Sequence, residues 1–304
     1  MAKSSNNPPS KERYGDNVIR VHENPKAGVP GHLAAFFMGA VASIDFSALE
    51  SAAATAQEHK YEKARKGSGL PTYTHTFPRK SIARFCANGV VSLHDKIRNL
   101  NRPATPNDAI FCARRAWDKR SEVGYMKRIE DDFQLLAEDI IANCITEIDN
   151  DRKPVVDNFF ALWYMRPRFK YLPALEFQAK GIHGEKYTQQ QEEVLEGEGI
   201  LFARKGGRVP TRQINGLRLQ FLIRGYAEHI GATTQWGMIQ AQEGQFIVPD
   251  IPVRAVIPVT PTLCLVSIAP NGTILKENVG EINRQLKADS REYFFANDLS
   301  MCPC

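Results

Sequence analysis

No segment of this 304-residue chain is apolar for long enough to cross a membrane. The most apolar stretch, residues 33–46, covers about half a bilayer crossing and carries Ser43 and Asp45. It also lies too far in, without a small-residue cleavage pattern, to act as a secretion signal. The usual marks of catalysis are missing as well. There is no glycine-rich phosphate loop, no Gly-x-Ser-x-Gly, no His-Glu-x-x-His and no Cys-x-x-Cys. Lys205-Gly206-Gly207-Arg208 has glycines at the wrong spacing for a phosphate and reads as a hairpin turn. Charge of one sign is not concentrated. The net charge of +5 is spread along the chain rather than gathered in the stripe that nucleic acid selects.

A disulfide framework is absent too. Of the six cysteines, Cys86, Cys112, Cys144 and Cys264 sit singly in apolar segments, the pattern of buried thiols in a reducing compartment. Cys302-Pro303-Cys304 reads as a frayed tail with two reactive thiols, since a metal there needs ligands from elsewhere. These features place the protein in the cytoplasm. With 43% hydrophobic and 24% charged residues, the composition is that of a globular chain able to bury a sizeable core.

The pattern along the chain changes three times. Residues 1–30 are polar and read as a flexible tail. Residues 31–72 read as a helical N-terminal extension: Leu33, Phe36, Phe37 and Val41 recur at helical spacing. A helix over residues 45–66 starts at Asp45 and has a basic end, stopped by Gly67-Ser68-Gly69-Leu70-Pro71. Residues 73–304 read as a single α+β domain. Its first part holds two short strands, residues 82–85 and 90–93, around Asn88-Gly89, then a loop and short helix over 105–116. An amphipathic helix over 124–148 uses Ile129, Phe133, Leu136, Ile140, Ile141, Cys144 and Ile148. A helix after Pro154 ends near Met165-Arg166-Pro167, and further helices cover 189–196 and 211–230. The period then switches to strands at 236–241, 245–248, 254–258 and 263–268, followed by a helix at 276–289 and a strand at 292–296. Helices first and strands later imply a helix-rich α+β body with a small, mostly antiparallel sheet.

Several short motifs keep a recognisable order: His75-Thr76-Phe77-Pro78, Ile82-Ala83-Arg84-Phe85, residues 89–95 ending in Asp95, Ile129-Glu130, residues 160–168 ending in Arg166-Pro167-Arg168, residues 246–253, Pro258-Val259-Thr260-Pro261 and Ile282-Asn283. In that order they resemble a bacterial family with no assigned function, domain of unknown function 4238. The resemblance covers residues 73–297. It departs from the family pattern at Thr76-Phe77, in place of Tyr-Val, and at Pro249, in place of a serine before the acid.

The candidate site residues fall in those motifs. Asp250 lies between Pro249 and Pro252, at the rim of the apolar run Phe246-Ile247-Val248, and is held rigidly at a strand end. It serves either a reaction or an Asx-turn on its own backbone. His75 precedes a strand and is either a general base or metal ligand, or a hydrogen-bond partner of neighbouring backbone. Arg166 and Arg168 suit an anion through their bidentate geometry, or a salt bridge to an acid of the long helix such as Glu130 or Asp132. Asn283 inside a helix bonds something specific, a loop backbone or a substrate.

Two functions compete. One is a phosphodiester hydrolase or nuclease, with His75 and Asp250 catalytic, Arg166, Arg168 and Asn283 holding the anionic substrate, and a divalent metal beside Glu130. It requires His75, Arg166 and Asp250 to converge. The other is a non-enzymatic interaction protein whose motif residues are structural. Its partner, a nucleic acid or another protein, is met through the N-terminal helix. Neither reading involves a membrane.

Overall fold

The computed structural model describes residues 64–170 and 176–304. The N-terminal tail expected over residues 1–30 lies outside them, as does nearly all of the helix expected over 45–66. Of that helix only residues 64–66 are described, and they are not helical. No helix among the described residues is long and apolar enough to cross a membrane.

The fold is α+β. In chain order it comprises β1 (Tyr73–His75), α1 (Arg79–Ala83), β2 (Val91–Asp95), β3 (Leu100–Ala104) and β4 (Cys112–Arg114). A helical turn at Lys119–Ser121 and a π-helical turn at Glu122–Met126 lead into α2 (Lys127–Ile141), then α3 (Lys153–Lys170). Next come β5 (Glu176–Gln178), α4 (Gln189–Gly197), β6 (Arg208–Pro210) and α5 (Thr211–Gly231). The chain continues with β7 (Trp236–Ala241), β8 (Val248–Pro249), β9 (Val256–Thr260), β10 (Leu263–Ser267) and β11 (Gly272–Ile274), and ends in α6 (Lys276–Asp289) and β12 (Tyr293–Ala296).

Two four-stranded sheets form, in the orders β11-β7-β10-β9 and β3-β2-β12-β8, with two-stranded pairs β1-β4 and β5-β6 beside them. Pairing is antiparallel except between β11 and β7. The one sheet expected, built mostly after Trp236 and joined by the hairpin near Asn88, is instead divided into two. A second sheet draws β2 and β3 from the front of the domain and places β12 between β2 and β8.

Helix α3 runs through the main core. Val156, Phe159, Phe160, Leu162, Trp163, Met165 and Phe169 are all buried, with Asp157 and Arg166 among them, so the helix is enclosed on nearly every side. Phe133 of α2 stacks on Phe159 with ring centroids 3.5 Å apart, and Phe77 meets Trp163 at 4.6 Å. This burial carries the helix past Pro167 to Lys170, although a proline normally ends a helix.

Other boundaries differ for identifiable reasons. Residues 82–85 are not a strand: Pro78 precedes α1, and Ile82 and Phe85, both fully buried, lie three apart on a helical turn. The turn at Asn88-Gly89 is present, with φ of 52° and 81°, and two hydrogen bonds join Ala87 to Val90. Helix α2 stops at Ile141 rather than 148. Asn143 takes a left-handed φ of 57°, and the amides of Asn143 and Cys144 bond back to Ile140 and Asp139 in a Schellman motif. Ile141 and Cys144 are consequently exposed. The strand expected at 245–248 shrinks to Val248–Pro249, because the Ile247 amide donates to the Asn283 side chain instead of a strand neighbour. All six cysteines are free thiols. The C-terminal tail is not frayed: Asn283 Nδ2 donates to Pro303 O at 2.9 Å, and Pro303 packs against Gly280.

Candidate functional site

Arg166 is the centre of the arrangement. It is fully buried on α3, and its guanidinium lies 5.7 Å from the Trp117 ring centroid. Nη1 donates to Glu130 and, at 3.3 Å, to the His75 backbone carbonyl; Nη2 donates to Glu122 Oε2 at 3.0 Å. The same Glu122 oxygen accepts from Trp117 Nε1 at 2.7 Å. Burial alone would lower the Arg166 pKa, but the charges of Glu122 and Glu130 outweigh it and raise it. The two carboxylates remain 22% and 19% exposed. The π-helical turn between them sets their register, which is what lets one guanidinium hold both.

His75 ends β1 opposite Cys112 of β4. Its Nε2 lies 2.8 Å from the Pro106 carbonyl, which can only accept, so Nε2 donates there. Asp250 follows β8 and is 3% exposed. Its Oδ1 accepts from the backbone amides of Ile251 at 3.0 Å and Arg291 at 2.8 Å, and its Oδ2 from Glu292 at 2.6 Å. Burial pushes its pKa up, against the downward pull of the Glu292 and Arg291 amides.

A polar seam connects these groups. The buried Tyr293 phenol shares a hydrogen bond with Thr76, and its pKa is raised first by burial and then by the Asp250 charge. Lys170 at the end of α3 pairs with Glu292 at 2.7 Å. Arg166 thus meets Glu130 and the backbone carbonyl of His75, not its imidazole, which turns to Pro106, and Asp250 is linked to them only through Tyr293 and Thr76. Arg168 faces elsewhere, its guanidinium 3.4 Å from the Tyr164 ring centroid, as expected for residues two apart on a helix. Asn283 is also apart. It accepts from Ile247 N at 3.0 Å and donates to Gln245 O at 2.8 Å and to Pro303 O.

Glu122, Trp117, Lys170, Glu292 and Tyr293 are members that the sequence did not single out. Glu122 opens the π-turn, and neither that turn nor its pairing with Arg166 leaves a mark in helical periodicity. Among the described residues, no three His, Cys, Asp or Glu side chains gather as metal ligands, and Arg166 already engages Glu130.

Two cavities lie in another part of the fold. They adjoin, have volumes of about 430 and 540 Å³, and share Tyr187 beside α4. Four of the lining charges pair with one another: Glu176 bridges Arg204 at 2.5 Å and Arg208 at 3.1 Å, and Arg204 also holds Glu192 at 2.6 Å. His75, Arg166 and Asp250 do not line them. No protein-family model, curated protein or solved structure matches the chain.

Proposed function

We propose that this is a non-enzymatic binding protein, in which the motif residues hold the fold rather than perform a reaction. The carrying observation is Asp250, whose buried carboxylate is occupied by three backbone amides. A carboxylate spent in this way joins the end of α6 to β8 and has little left to offer a substrate. Asn283 is likewise spent on the loop at 245–247 and the C-terminal tail. A cytoplasmic setting belongs to this reading and is supported by the six free thiols. Membership of the domain of unknown function 4238 family is proposed on the ordered motifs. That the His, Arg and Asp motifs fold onto one seam supports it.

A second reading, phosphodiester hydrolysis, is favoured by the partly exposed Glu122 and Glu130 carboxylates held by Arg166, whose guanidinium also bonds the His75 carbonyl. The residues do not fit a divalent cation in that role. Two carboxylates already matched by one guanidinium, with no third ligand among the described residues, make a weak site.

Asp250→Ala separates the two. As a backbone clamp its loss orphans three amides, so thermal or urea melts should show a loss of roughly 3 kcal/mol or more. A variant that melts like the wild type but has lost a metal-dependent cleavage of DNA or RNA present in the wild type would reverse the conclusion in favour of the hydrolase.

A further inference from the structure

Helix α4 is inverted: its buried face is acidic and its outward face is partly apolar. Glu192, Glu193 and Glu196 are all buried. Arginines match each of them. Arg204 holds Glu192 at 2.6 Å, Arg65 holds Glu193 at 2.8 Å, and Arg115 and Arg212 hold Glu196 at 2.7 and 2.8 Å. The opposite face presents Gln190, Gln191, Val194 and the half-buried Leu195. Val194 is 57% exposed. Ile200, also exposed, continues this face, because its amide donates to the Leu195 carbonyl at 2.8 Å. A surface helix ordinarily turns its apolar stripe inward, so an apolar outer face marks a surface that something covers. The cavity of about 540 Å³ lies on this face, and its described lining comes wholly from residues 187–195. One convex helix and the turn before it supply a single wall.

The chain itself arrives at this place. The described residues begin at 64, and Arg65 is clamped to α4. Glu193 Oε1 accepts from the Arg65 backbone amide and Oε2 from its guanidinium, both at 2.8 Å. The clamp therefore fixes the main chain as well as the side chain. Around the helix, Glu193 stands about 60° from Gln190 and about 100° from Val194, on the flank of the outer face. Residues 46–63 lead into the clamp. Phe46, Leu49, Ala53 and Ala56 recur at i, i+3, i+7 and i+10, one side at helical spacing. The alanines fall nearer the clamp and are small enough for close approach. Lys60 and Lys63 follow, opposite in charge to α4, whose Glu198 is exposed. A helix over residues 46–63 would be about 27 Å long, against about 13 Å for α4, so its stripe can pass over the whole face.

We propose that residues 46–63 dock on the outer face of α4, with the side carrying Leu49, Ala53 and Ala56 against Val194 and Leu195, and supply the missing wall of the cavity. The docked segment is then part of the body rather than an arm held out to a partner. This goes beyond the binding reading above, does not rest on it and uses none of the seam residues.

The test uses the full chain with p-benzoylphenylalanine in place of Val194, irradiated at low micromolar concentration and read by peptide mass spectrometry. Crosslinks should form within one chain, to peptides from residues 45–63. Crosslinks joining two chains would assign the face to a second copy, and crosslinks to residues 171–175 or elsewhere in the body would assign it to another segment. Either result overturns the proposal, and so does the absence of any crosslink. A second measurement compares iodoacetamide labelling of Val194→Cys with that of the exposed Cys144 in the same chain. The introduced thiol should react about tenfold more slowly or less, as a covered position does. Adding Ala53→Glu and Ala56→Glu keeps good helix formers but sets carboxylates against the apolar face, and should bring the rate to within about twofold of Cys144. Labelling as fast as Cys144 without these changes, or equally slow with them, overturns the docking. Cys264, buried in the sheet, should stay unlabelled in every variant and so reports that the body is folded. Asp250→Ala is unaffected by either outcome, so the two readings fall separately.

Discussion

A thiol reacts as its anion, so burial decides which of the six cysteines are chemically visible. Cys112 is enclosed, and burial pushes its pKa up to about 11; burial raises that of Cys264 further still. Cys144 and Cys304 are exposed. A short pulse of iodoacetamide near neutral pH, read by peptide mass spectrometry, should label Cys144 and Cys304 first and leave Cys112 and Cys264 unmodified until denaturant is added. Equal labelling of Cys264 in the native protein would mean that the sheet β11-β7-β10-β9 opens on that timescale. At this scale the sequence identifies chemical type well and partners poorly. Asp250, Asn283 and Arg166 stand out correctly as polar groups in apolar settings, and the alternatives named for each include its observed partner class: backbone for the first two and Glu130 for Arg166. The choice between ligand and partner depends on residues distant in the chain. Glu292 lies 42 positions from Asp250, and no local pattern announces it.

An element's register can matter more than any one of its side chains. The π-helical turn Glu122–Met126 adds backbone ahead of α2, and it fixes how Glu122 stands relative to Glu130. Deleting Val123, which is 57% exposed, removes little packing. It should, however, rotate Glu122 by about 100° against α2, so that Arg166 keeps only one carboxylate. Urea unfolding should show a loss of roughly 3 kcal/mol, as for breaking a buried ion pair, whereas Val123→Ala should stay within about 0.5 kcal/mol. If the deletion proves as mild as the alanine change, the paired carboxylates add nothing to Arg166. Elements of this size are partly legible in sequence. The amphipathic helix α2 follows from periodicity, the long helices α3 and α5 from apolar stretches too long for strands, and α4 has a polar start at Thr188, which forms a capping box. What fails is termination. Burial of Phe169 carries α3 across Pro167, and Asn143 ends α2 where glycine would have been the clearer sign. Strands of two or three residues, such as β1, β4 and β8, are too short to show a period.

At the scale of the whole molecule, the two ends of the described chain are interleaved. Strand β12 pairs with β2 across Tyr293–Asp95, Phe294–His94, Phe295–Leu93 and Ala296–Ser92, and with β8 on its other side. Phe295 reaches Phe85 and Phe111 from the front of the domain at 5.8 and 5.3 Å. Composition and local pattern suggest that both ends contain strands, but not that the last strand sits between an early one and a late one, because pairing partners about two hundred residues apart leave no short-range signal. This arrangement predicts different outcomes for two truncations. Removing residues 293–304 takes away a central strand, leaves β2 and β8 with open edges, and strips the main core of Tyr293 and Phe295. That chain should show no cooperative thermal transition by circular dichroism. Removing only residues 302–304 takes away one acceptor of Asn283 and uncovers Gly280, but leaves every strand pair in place. It should cost about 1 kcal/mol and retain a single sharp transition. If the longer truncation still melted cooperatively, at a temperature close to that of the intact chain, the helical part around α3 and α5 would be a unit that folds without the second sheet, and residues 73–304 would have to be divided rather than read as one domain.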